Sequence, residues 1–280
     1  MRVLSLFDGI SCGQVALNRI GIEPEIYFAS EIDKHAIKVT QHNFPNTIQL
    51  GDIQKICEFV KAIGPIDLLL AGSPCQGFSQ AGKMLGFDDP RSQLFFNAVS
   101  ILGAVKPKNF LFENVRLKKS DAEIFKLLLG VNHVEINSAL VSAQNRRRYY
   151  WTNIEFDEIK DLGIEANSVI DHSNNDSNSD TWFDWYSKKD EFLLKKQYCT
   201  ILNDSHKGIC QCARQVSNWQ GNLVRNSNNF LRFASPLECE RLQTLPDNYT
   251  SAIANSHRYK ALGNCWTVDV VAHILKGLVR

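Results

Sequence analysis

Hydrophobic residues recur in two alternating patterns over the first 153 residues of the chain. Short runs that are almost wholly apolar predict buried strands, and stretches with apolar residues three or four positions apart predict amphipathic helices. The predicted strands are residues 3–7, 26–30, 47–50, 67–71, 110–113, 134–141 and 148–153. The predicted helices are residues 14–20, 34–43, 53–63, 93–104 and 121–129. This alternation predicts an α/β fold with a doubly wound, mostly parallel sheet, in which the last two strands form an antiparallel edge.

The pattern changes after residue 153. Residues 172–180 read HSNNDSNSD, a polar loop, and there is little periodicity up to about residue 229. Helical patterning returns in SPLECERLQTL, where Ser235 suits the helix cap and Glu238 the capping-box position. A last apolar helix is predicted over residues 267–278. We therefore expect a main domain of residues 1–154, an insert of residues 155–230, and helices within residues 231–280 that return to the main domain.

Composition narrows the class of protein. A chain of 280 residues with 44% hydrophobic residues can bury a core. No apolar run reaches the roughly 18 residues of a membrane span, and the opening MRVLSLFDGIS does not resemble a secretory signal. The eight cysteines are scattered along the chain, which predicts reduced thiols in a cytoplasmic protein.

Charge is distributed unevenly, although the net charge is only +1. Residues 155–191 carry eleven acidic residues against three lysines, whereas residues 196–232 carry five basic residues and a single acid. A polyanion would avoid the first stretch and tolerate the second. The five basic residues are Lys196, Lys207, Arg214, Arg225 and Arg232.

Polar or flexible residues follow each of the first three predicted strands. FDGISCG follows the first strand, Glu31 the second, and Gly51 and Asp52 the third. Glycines let the backbone turn tightly beside a ligand, and an acid after the second strand suits ribose hydroxyls. The loop lacks the dinucleotide-binding glycine motif. These strand ends therefore predict a site for an adenosyl-type ligand, although each of them alone fits an ordinary turn or helix cap.

The next two strand ends carry groups for catalysis. The fourth strand runs into Gly72-Ser73-Pro74-Cys75, so Cys75 stands on a turn that proline stiffens, ahead of a loop that reaches residue 90. An ordinary thiol, with a pKa of about 8.5, is mostly protonated at neutral pH and needs activation to act as a nucleophile. The fifth strand ends at Glu113, at the same sheet edge, and Arg146 and Arg148 come later in the chain.

The motifs together resemble the DNA cytosine-5 methyltransferase family, with wording most similar to the catalytic domain of the animal de novo enzymes. They occur in the family's order and cover nearly the whole chain except residues 155–230. The matching motifs are LSLFDGIS, SEI, GDI, DLLLAGSPCQGFS, LFFN, FLFENV, QNRRRYYW, PLECERLQTLP and ALGNCWTVDVV. Since the first strand begins at residue 3, we expect a stand-alone bacterial or phage enzyme, with or without a restriction partner.

The resemblance implies a class I S-adenosylmethionine-dependent methyltransferase fold and methylation of double-stranded DNA. Cys75 would attack carbon 6 of a flipped-out cytosine, and Glu113 would hold and protonate ring nitrogen 3. Arg148 would orient Cys75 or the ring, and Arg146 would support that pocket. Residues 76–90 would form a lid. Further contacts with the cytosine are expected from Ser73, Gln76, Ser79, Asn114 and Gln144.

S-adenosylmethionine would be the methyl donor. The family pattern assigns its contacts to Phe7, Asp8, Gly9, Ile10, Glu31, Ile32, Asp52, Ile53, Pro74, Leu94, Asn264, Cys265 and Trp266. Many bacterial members have an aromatic residue where Ile32 stands, so stacking on the adenine is expected to be weaker here. Trp266 also departs from those members, and core packing explains it as well as cofactor contact does.

Target choice is expected to lie in residues 155–230. The basic stretch from 196 to 232 would face a DNA groove. Its candidate base-reading side chains are Thr200, Asn203, Gln211, Gln215, Asn218, Gln220 and Asn222. Cys199, His206, Cys210 and Cys212 are residue types found in zinc sites, but a CxxC spacing is missing and reduced thiols are favoured.

Three alternatives stay open at this stage. A branch of the family methylates transfer RNA, but it carries a Cys-Phe-Thr motif where this chain has Cys199-Thr200-Ile201. A catalytically inactive DNA-binding homologue is disfavoured because Cys75, Glu113 and the arginines are all present. Adenine amino-methyltransferases use an Asp/Asn-Pro-Pro-aromatic loop that this chain lacks. Oligomeric state is undetermined, although a homo-oligomer would be compatible with the small insert.

Overall fold

The computed structural model describes residues 1–74, 93–174, 183–184, 199–215, 221–226 and 230–280. The chain forms two compact units. The first unit comprises Met1–Ile136, Arg147–Glu158 and Val270–Arg280, and the second comprises Asn137–Arg146 and Ile159–Asp269. Most of the residues after 230 therefore belong to the second unit, and the division into domains at residues 154 and 230 stays a prediction.

The first unit is built on a seven-stranded sheet. Its strands are β1 (Arg2–Leu6), β2 (Ile26–Ser30), β3 (Ile48–Gln49), β4 (Leu68–Gly72), β5 (Asn109–Val115), β6 (His133–Asn137) and β7 (Arg147–Thr152). The order across the sheet is β3-β2-β1-β4-β5-β7-β6. Neighbours from β3 to β5 run parallel, and β7 runs antiparallel to β5. The predicted mostly parallel α/β sheet is confirmed.

Helices follow the strands as the apolar spacing predicts. They are α1 (Cys12–Arg19), α2 (Lys34–Asn43), α3 (Ile53–Phe59), α4 (Gln93–Val105) and α5 (Lys119–Leu129). Helix α3 continues as a 3-10 turn over Val60–Ile63. One buried cluster joins strand residues such as Leu69 and Phe112 to Phe95 of α4 and Phe125 of α5, whose rings stack 3.7 Å apart. The strands are almost continuously apolar because they lie inside this packing.

The second unit contains a small sheet that the sequence patterns do not predict. Its strands are β8 (Phe183–Asp184), β9 (Cys199–Ile201), β10 (Gly221–Arg225) and β11 (Phe230–Phe233), in the order β8-β11-β10-β9. These strands have two to five residues each, too few to show a clear alternation.

Three helices complete the chain: α6 (Pro236–Leu242), α7 (Asn255–Asn264) and α8 (Val268–Leu275), the last followed by a 3-10 turn over Lys276–Val279. The predicted capping box is present, since the Ser235 hydroxyl accepts from the Glu238 amide and the Glu238 carboxylate accepts from the Ser235 amide. Within the described ranges, no helix has the length and apolar character needed to span a membrane.

Candidate active site

The loop between β1 and α1 has an unusual backbone. Phe7, Gly9 and Ser11 have φ angles of 57°, 61° and 58°, in the left-handed region that non-glycine residues rarely adopt. The Asp8 amide donates to the Ser30 carbonyl at 3.0 Å, which ties the loop to the end of β2. A non-glycine backbone held in this region is typical of sites where a loop must fit a ligand closely.

The Asp8 carboxyl anchors the interior of this loop. It accepts hydrogen bonds from the Ser11 hydroxyl and, at 2.9 Å, from the Tyr27 hydroxyl. Burial raises its pKa to about 6, which exceeds the lowering effect of the hydroxyl donors, and the nearby Glu31 charge adds to the rise. Tyr27 was not among the expected site residues, because an inward-facing tyrosine in a strand looks like core packing.

Glu31 joins the ends of β1 and β2. One carboxylate oxygen accepts from the Gly9 amide at 2.8 Å, and the other accepts from the amides of Ile32 at 2.7 Å and Asp33 at 2.8 Å. The Ile32 side chain is 74% exposed, an unusual position for a large apolar group. Gly9, Glu31 and Ile32 therefore lie close together at the sheet edge.

The end of β3 joins the same edge. The Ser30 hydroxyl donates to the Gly51 carbonyl at 2.8 Å, and Asp52 caps α3 by accepting from the Gln54 amide at 3.0 Å. Two other expected cofactor residues, Ile10 and Ile53, have buried side chains, which are only 1% and 4% exposed. Phe7 and Leu94 are partly buried against the main core cluster.

The ends of β4 and β5 are fastened together. Gly72 pairs with Glu113 in the parallel register, and the Asn114 side-chain amide donates to the Ser73 hydroxyl at 2.9 Å and to the Ser73 carbonyl at 3.3 Å. Pro74 is the last described residue of this segment. Cys75, Gln76, Ser79 and the expected lid up to residue 90 lie outside the described residues.

Glu113 has a cationic partner on the next strand. The Arg148 Nε lies 3.2 Å from a Glu113 carboxylate oxygen, and the two side chains are only 15% and 10% exposed. The antiparallel register, in which Val115 pairs with Arg148, brings these residues together. In such a shielded position the ion pair fixes the direction in which the carboxyl group points.

Arg146 belongs to the second unit and has a different environment. Its guanidinium is 3% exposed and donates to the carbonyls of Gln211 at 3.0 Å, Gly263 at 3.4 Å and Cys265 at 2.8 Å. A planar cation that donates to several carbonyls at once holds separate backbone segments together. These contacts indicate a positioning role for Arg146 within its own unit.

Gln144, expected to contact the cytosine, is completely buried. Its amide nitrogen donates to the Leu242 carbonyl at 2.7 Å and to the Gln243 side chain at 2.9 Å, and its oxygen accepts from the Gln211 amide at 3.1 Å. Gln211 in turn donates to the Cys239 carbonyl at 2.8 Å. These buried side-chain amides form the hydrogen bonds that nearby backbone groups need. Nothing in the sequence distinguishes a glutamine with this structural role from one that binds a substrate.

The segment after α7 contains the last three expected cofactor residues. Asn264 is exposed, Trp266 is half-buried and Cys265 is buried. The preceding Gly263 has a clear structural cause, because a Cβ there would lie 2.1 Å from the backbone carbon of Cys212. Only glycine therefore lets α7 approach this backbone.

The expectation that residues 196–232 present a groove-facing basic surface is wrong for most of the described residues. Arg232 forms a buried two-bonded ion pair with Glu238, at 2.6 and 2.8 Å, and Arg225 lies 2.7 Å from Asp204. The Lys207 ammonium donates to the carbonyls of Ala139, Ser142 and Ile164. Arg214 is exposed, and Lys196 lies outside the described residues.

Most expected base-reading side chains serve the fold as well. Gln211, Gln215 and Asn222 are 1%, 4% and 3% exposed. Their side-chain amides donate to neighbouring backbone and side-chain groups, as buried polar groups generally do. Asn203 bonds the Arg225 backbone, and Thr200 shares a hydrogen bond with Ser205. Asn218 and Gln220 are outside the described residues. Among the described cysteines, Cys199, Cys210 and Cys212 form no disulfide, and His206 lies 3.6 Å from Glu165.

Comparison with known proteins decides the family. The model of the C-5 cytosine-specific DNA methylases matches residues 1–208 and 135–280, which together span the chain. The chain belongs to this family. The type II methyltransferase M1.ScrFI of Lactococcus lactis subsp. cremoris is 32% identical over 309 residues, covering 100% of this chain and 78% of that protein. The chain is thus a DNA cytosine-5 methyltransferase.

Two further comparisons extend this result. The orphan methyltransferase M.SPRI of Bacillus phage SPR is 40% identical over 173 residues, covering 57% of this methyltransferase and 39% of the phage protein. A crystal structure of a DNMT2 mutant from Spodoptera frugiperda shares the fold, with a TM-score of 0.75, 23% identity and coverage of 100% and 99% of the two chains. The family and the fold imply a reaction that depends on S-adenosylmethionine.

Proposed function

We propose that this methyltransferase acts on a flipped-out cytosine in double-stranded DNA through a covalent bond between the Cys75 sulfur and carbon 6. The pairing of Gly72 with Glu113 carries the proposal. It places the backbone that leads to Cys75 beside an acid that an arginine orients, and Asn114 holds Ser73 there. Addition to the cytosine ring needs a nucleophile and an acid that the protein holds next to each other.

The proposed reaction consists of an addition, a methyl transfer and an elimination. The Cys75 thiolate adds to carbon 6, and the electrons of the ring's double bond move toward nitrogen 3, where Glu113 supplies a proton. Carbon 5 thereby becomes nucleophilic and takes the methyl group from the sulfonium donor, which is left as a neutral thioether. A base then removes the proton from carbon 5. Loss of the thiolate restores the ring's double bond, and the nitrogen 3 proton returns to Glu113. Arg148 keeps the Glu113 carboxyl directed at the ring, and such positioned proton transfer is typically worth ~10²–10⁴ in rate.

The described residues fit S-adenosylmethionine. The left-handed loop at residues 7–11 lets the backbone approach the ligand, Glu31 has acceptor capacity for ribose hydroxyls, and exposed Ile32 offers an apolar surface to the adenine. Asp52 follows Gly51, whose carbonyl accepts from Ser30, and would contact the adenine amino group. When bound, the cofactor supplies an electrophilic methyl group on a sulfonium.

The base must leave the duplex because its carbon 6 lies within the stack, at a cost of a few kcal/mol. The described cysteines form no disulfide, as is usual in a reducing compartment, and we propose that the enzyme works in the cytoplasm.

Transfer of a labelled methyl group tests this function. Purified protein should label unmodified duplex DNA, and nucleoside analysis should find the label in 5-methylcytosine. Cys75→Ala should abolish labelling while S-adenosylmethionine still binds. Label found only in transfer RNA, or in a methylated amino group, would contradict the proposal.

A further inference from the structure

A basic segment begins two residues after Glu113 on the first unit. Residues 115–120 read VRLKKS, with three basic residues and no acid. Arg116, Lys118 and Lys119 are exposed, whereas Leu117 between them is 8% exposed and packs in the main core cluster. The buried leucine fixes the segment, so its charges stand at a defined place on the surface.

Arg147 extends this surface from the neighbouring strand. It begins β7, next to Arg148, whose register partner on β5 is Val115. Arg116 and Arg147 approach the same Glu135 oxygen, at 3.4 and 3.2 Å, and both arginine side chains remain more than half exposed. One carboxylate shared by two arginines leaves a positive excess, to which the two lysines add.

Lys119 also begins α5, an eleven-residue helix whose N-terminal end carries a partial positive charge of its own. Asp121 in the first turn offsets part of this charge, so the exposed basic side chains, more than the helix end, make this surface positive.

We propose that Arg116, Lys118, Lys119 and Arg147, which we name the basic edge, bind phosphates of duplex DNA beside the target cytosine. The proposal rests on the proposed function for the identity of its partner. Three residues along a strand span about 10 Å, so Arg116 lies within reach of the backbone of a nucleotide whose base meets Glu113.

The contacts of the basic residues in the second unit support the proposal that the basic edge binds DNA. In the described part of residues 196–232, Lys207, Arg225 and Arg232 are bound to carbonyls or carboxylates of the protein itself. Arg214 is the exposed exception among them, whereas the four side chains of the basic edge lie on the first unit, where they would position DNA without reading bases.

The salt dependence of DNA binding measures this role directly. Removing one side chain that binds a phosphate should reduce the slope of log K against log salt concentration by about 0.9. We expect Arg116→Ala/Lys118→Ala/Lys119→Ala to reduce the slope on a random-sequence duplex by about 2 to 3. A matched control, Lys38→Ala/Lys55→Ala/Lys61→Ala, removes three exposed charges from α2, α3 and the following 3-10 turn and should change the slope by less than about 1.

Any of four results would contradict the proposed role of the basic edge. These are an unchanged slope in Arg116→Ala/Lys118→Ala/Lys119→Ala, equal reductions in this variant and in the control, no binding of the wild-type protein to duplex DNA, or a reduction of the slope seen with transfer RNA alone. Should the triple variant fold poorly by circular dichroism, Lys118→Ala/Lys119→Ala leaves the Glu135 ion pairs intact and should still lower the slope by about 1 to 2. Binding needs no methyl transfer, so failure of the Cys75 mechanism would be seen separately, in the labelling assay.

Discussion

The Asp8 carboxyl should make the protein less stable as the pH rises through weakly acidic values. Burial is the main reason that its pKa is raised from 3.8 to about 6. In the unfolded chain this carboxyl ionises near its ordinary pKa. From about pH 4 to about pH 6 the folded protein therefore keeps a proton that the unfolded chain has released, and the free energy of unfolding falls across this window.

The size of this effect follows from the pKa difference. About two pKa units, at about 1.4 kcal/mol each, correspond to roughly 3 kcal/mol of unfolding free energy. Asp8→Asn has nearly the same shape and does not titrate. It loses one of the hydroxyl donors to Asp8, which are Ser5, Ser11 and Tyr27, and this costs about 1 kcal/mol at every pH. The wild type should thus be the more stable protein near pH 4 and lose this advantage by about pH 7.

Urea unfolding followed by tryptophan fluorescence, in steps of pH, provides the assay. The difference in unfolding free energy between wild type and Asp8→Asn cancels the titration of all other carboxyl groups. Glu23→Gln, at an exposed position, should keep the wild-type pH dependence and serves as the control. A difference for Asp8→Asn that stays constant with pH, or that moves in favour of the wild type as pH rises, would refute the reasoning.

Three further predictions concern single residues. Glu113→Gln should lower kcat by ~10²–10⁴ in the labelled-methyl assay, with little change in affinity for S-adenosylmethionine, because it removes a proton donor; unchanged kcat would exclude Glu113 from proton transfer. Arg146→Ala leaves the carbonyls of Gln211, Gly263 and Cys265 without their donor and should destabilise the protein by about 2–4 kcal/mol in urea unfolding. Arg146→Lys should restore only part of this stability, because an ammonium group lacks the planar arrangement of donors in a guanidinium. If Arg146→Ala instead lowers only kcat at full stability, a catalytic role is correct. Gly263→Ala forces a Cβ to within 2.1 Å of the Cys212 backbone and should lower Tm by roughly 5–10 °C, because overpacking costs about 1–3 kcal/mol. Gly103→Ala, where a Cβ meets open space, should leave Tm nearly unchanged, and equal Tm values for the two variants would show that α7 packs differently.

Much of the fold could be predicted from local patterns. The bounds of β2 and α2 agree with the prediction to the residue, because a continuous apolar run and an amphipathic one are separated by Asp33, which caps the helix through its side chain. The Ser235 capping box was equally clear. In these places the signal lies within a few consecutive residues.

The roles of the basic residues could not be predicted in the same way. Arg146 and Arg148 stand two positions apart in one motif, yet one binds carbonyls of the second unit and the other pairs with Glu113 in the first. Lys207 is bound by three backbone carbonyls, which carry no side-chain signature at all. Partners distant in sequence decide these roles, so charge along the chain is a poor guide to charge on the surface.

The central claim is that Cys75 attacks carbon 6 of the target cytosine, and a trapped adduct tests it most directly. DNA in which 5-fluorocytosine replaces cytosine blocks the loss of the proton from carbon 5, so the covalent complex should accumulate when S-adenosylmethionine is present. Digestion and mass spectrometry of this complex should find the nucleotide on the peptide that contains Cys75, and Cys75→Ala should form no complex. A nucleotide attached to another cysteine, or an adduct that persists in Cys75→Ala, would contradict the account.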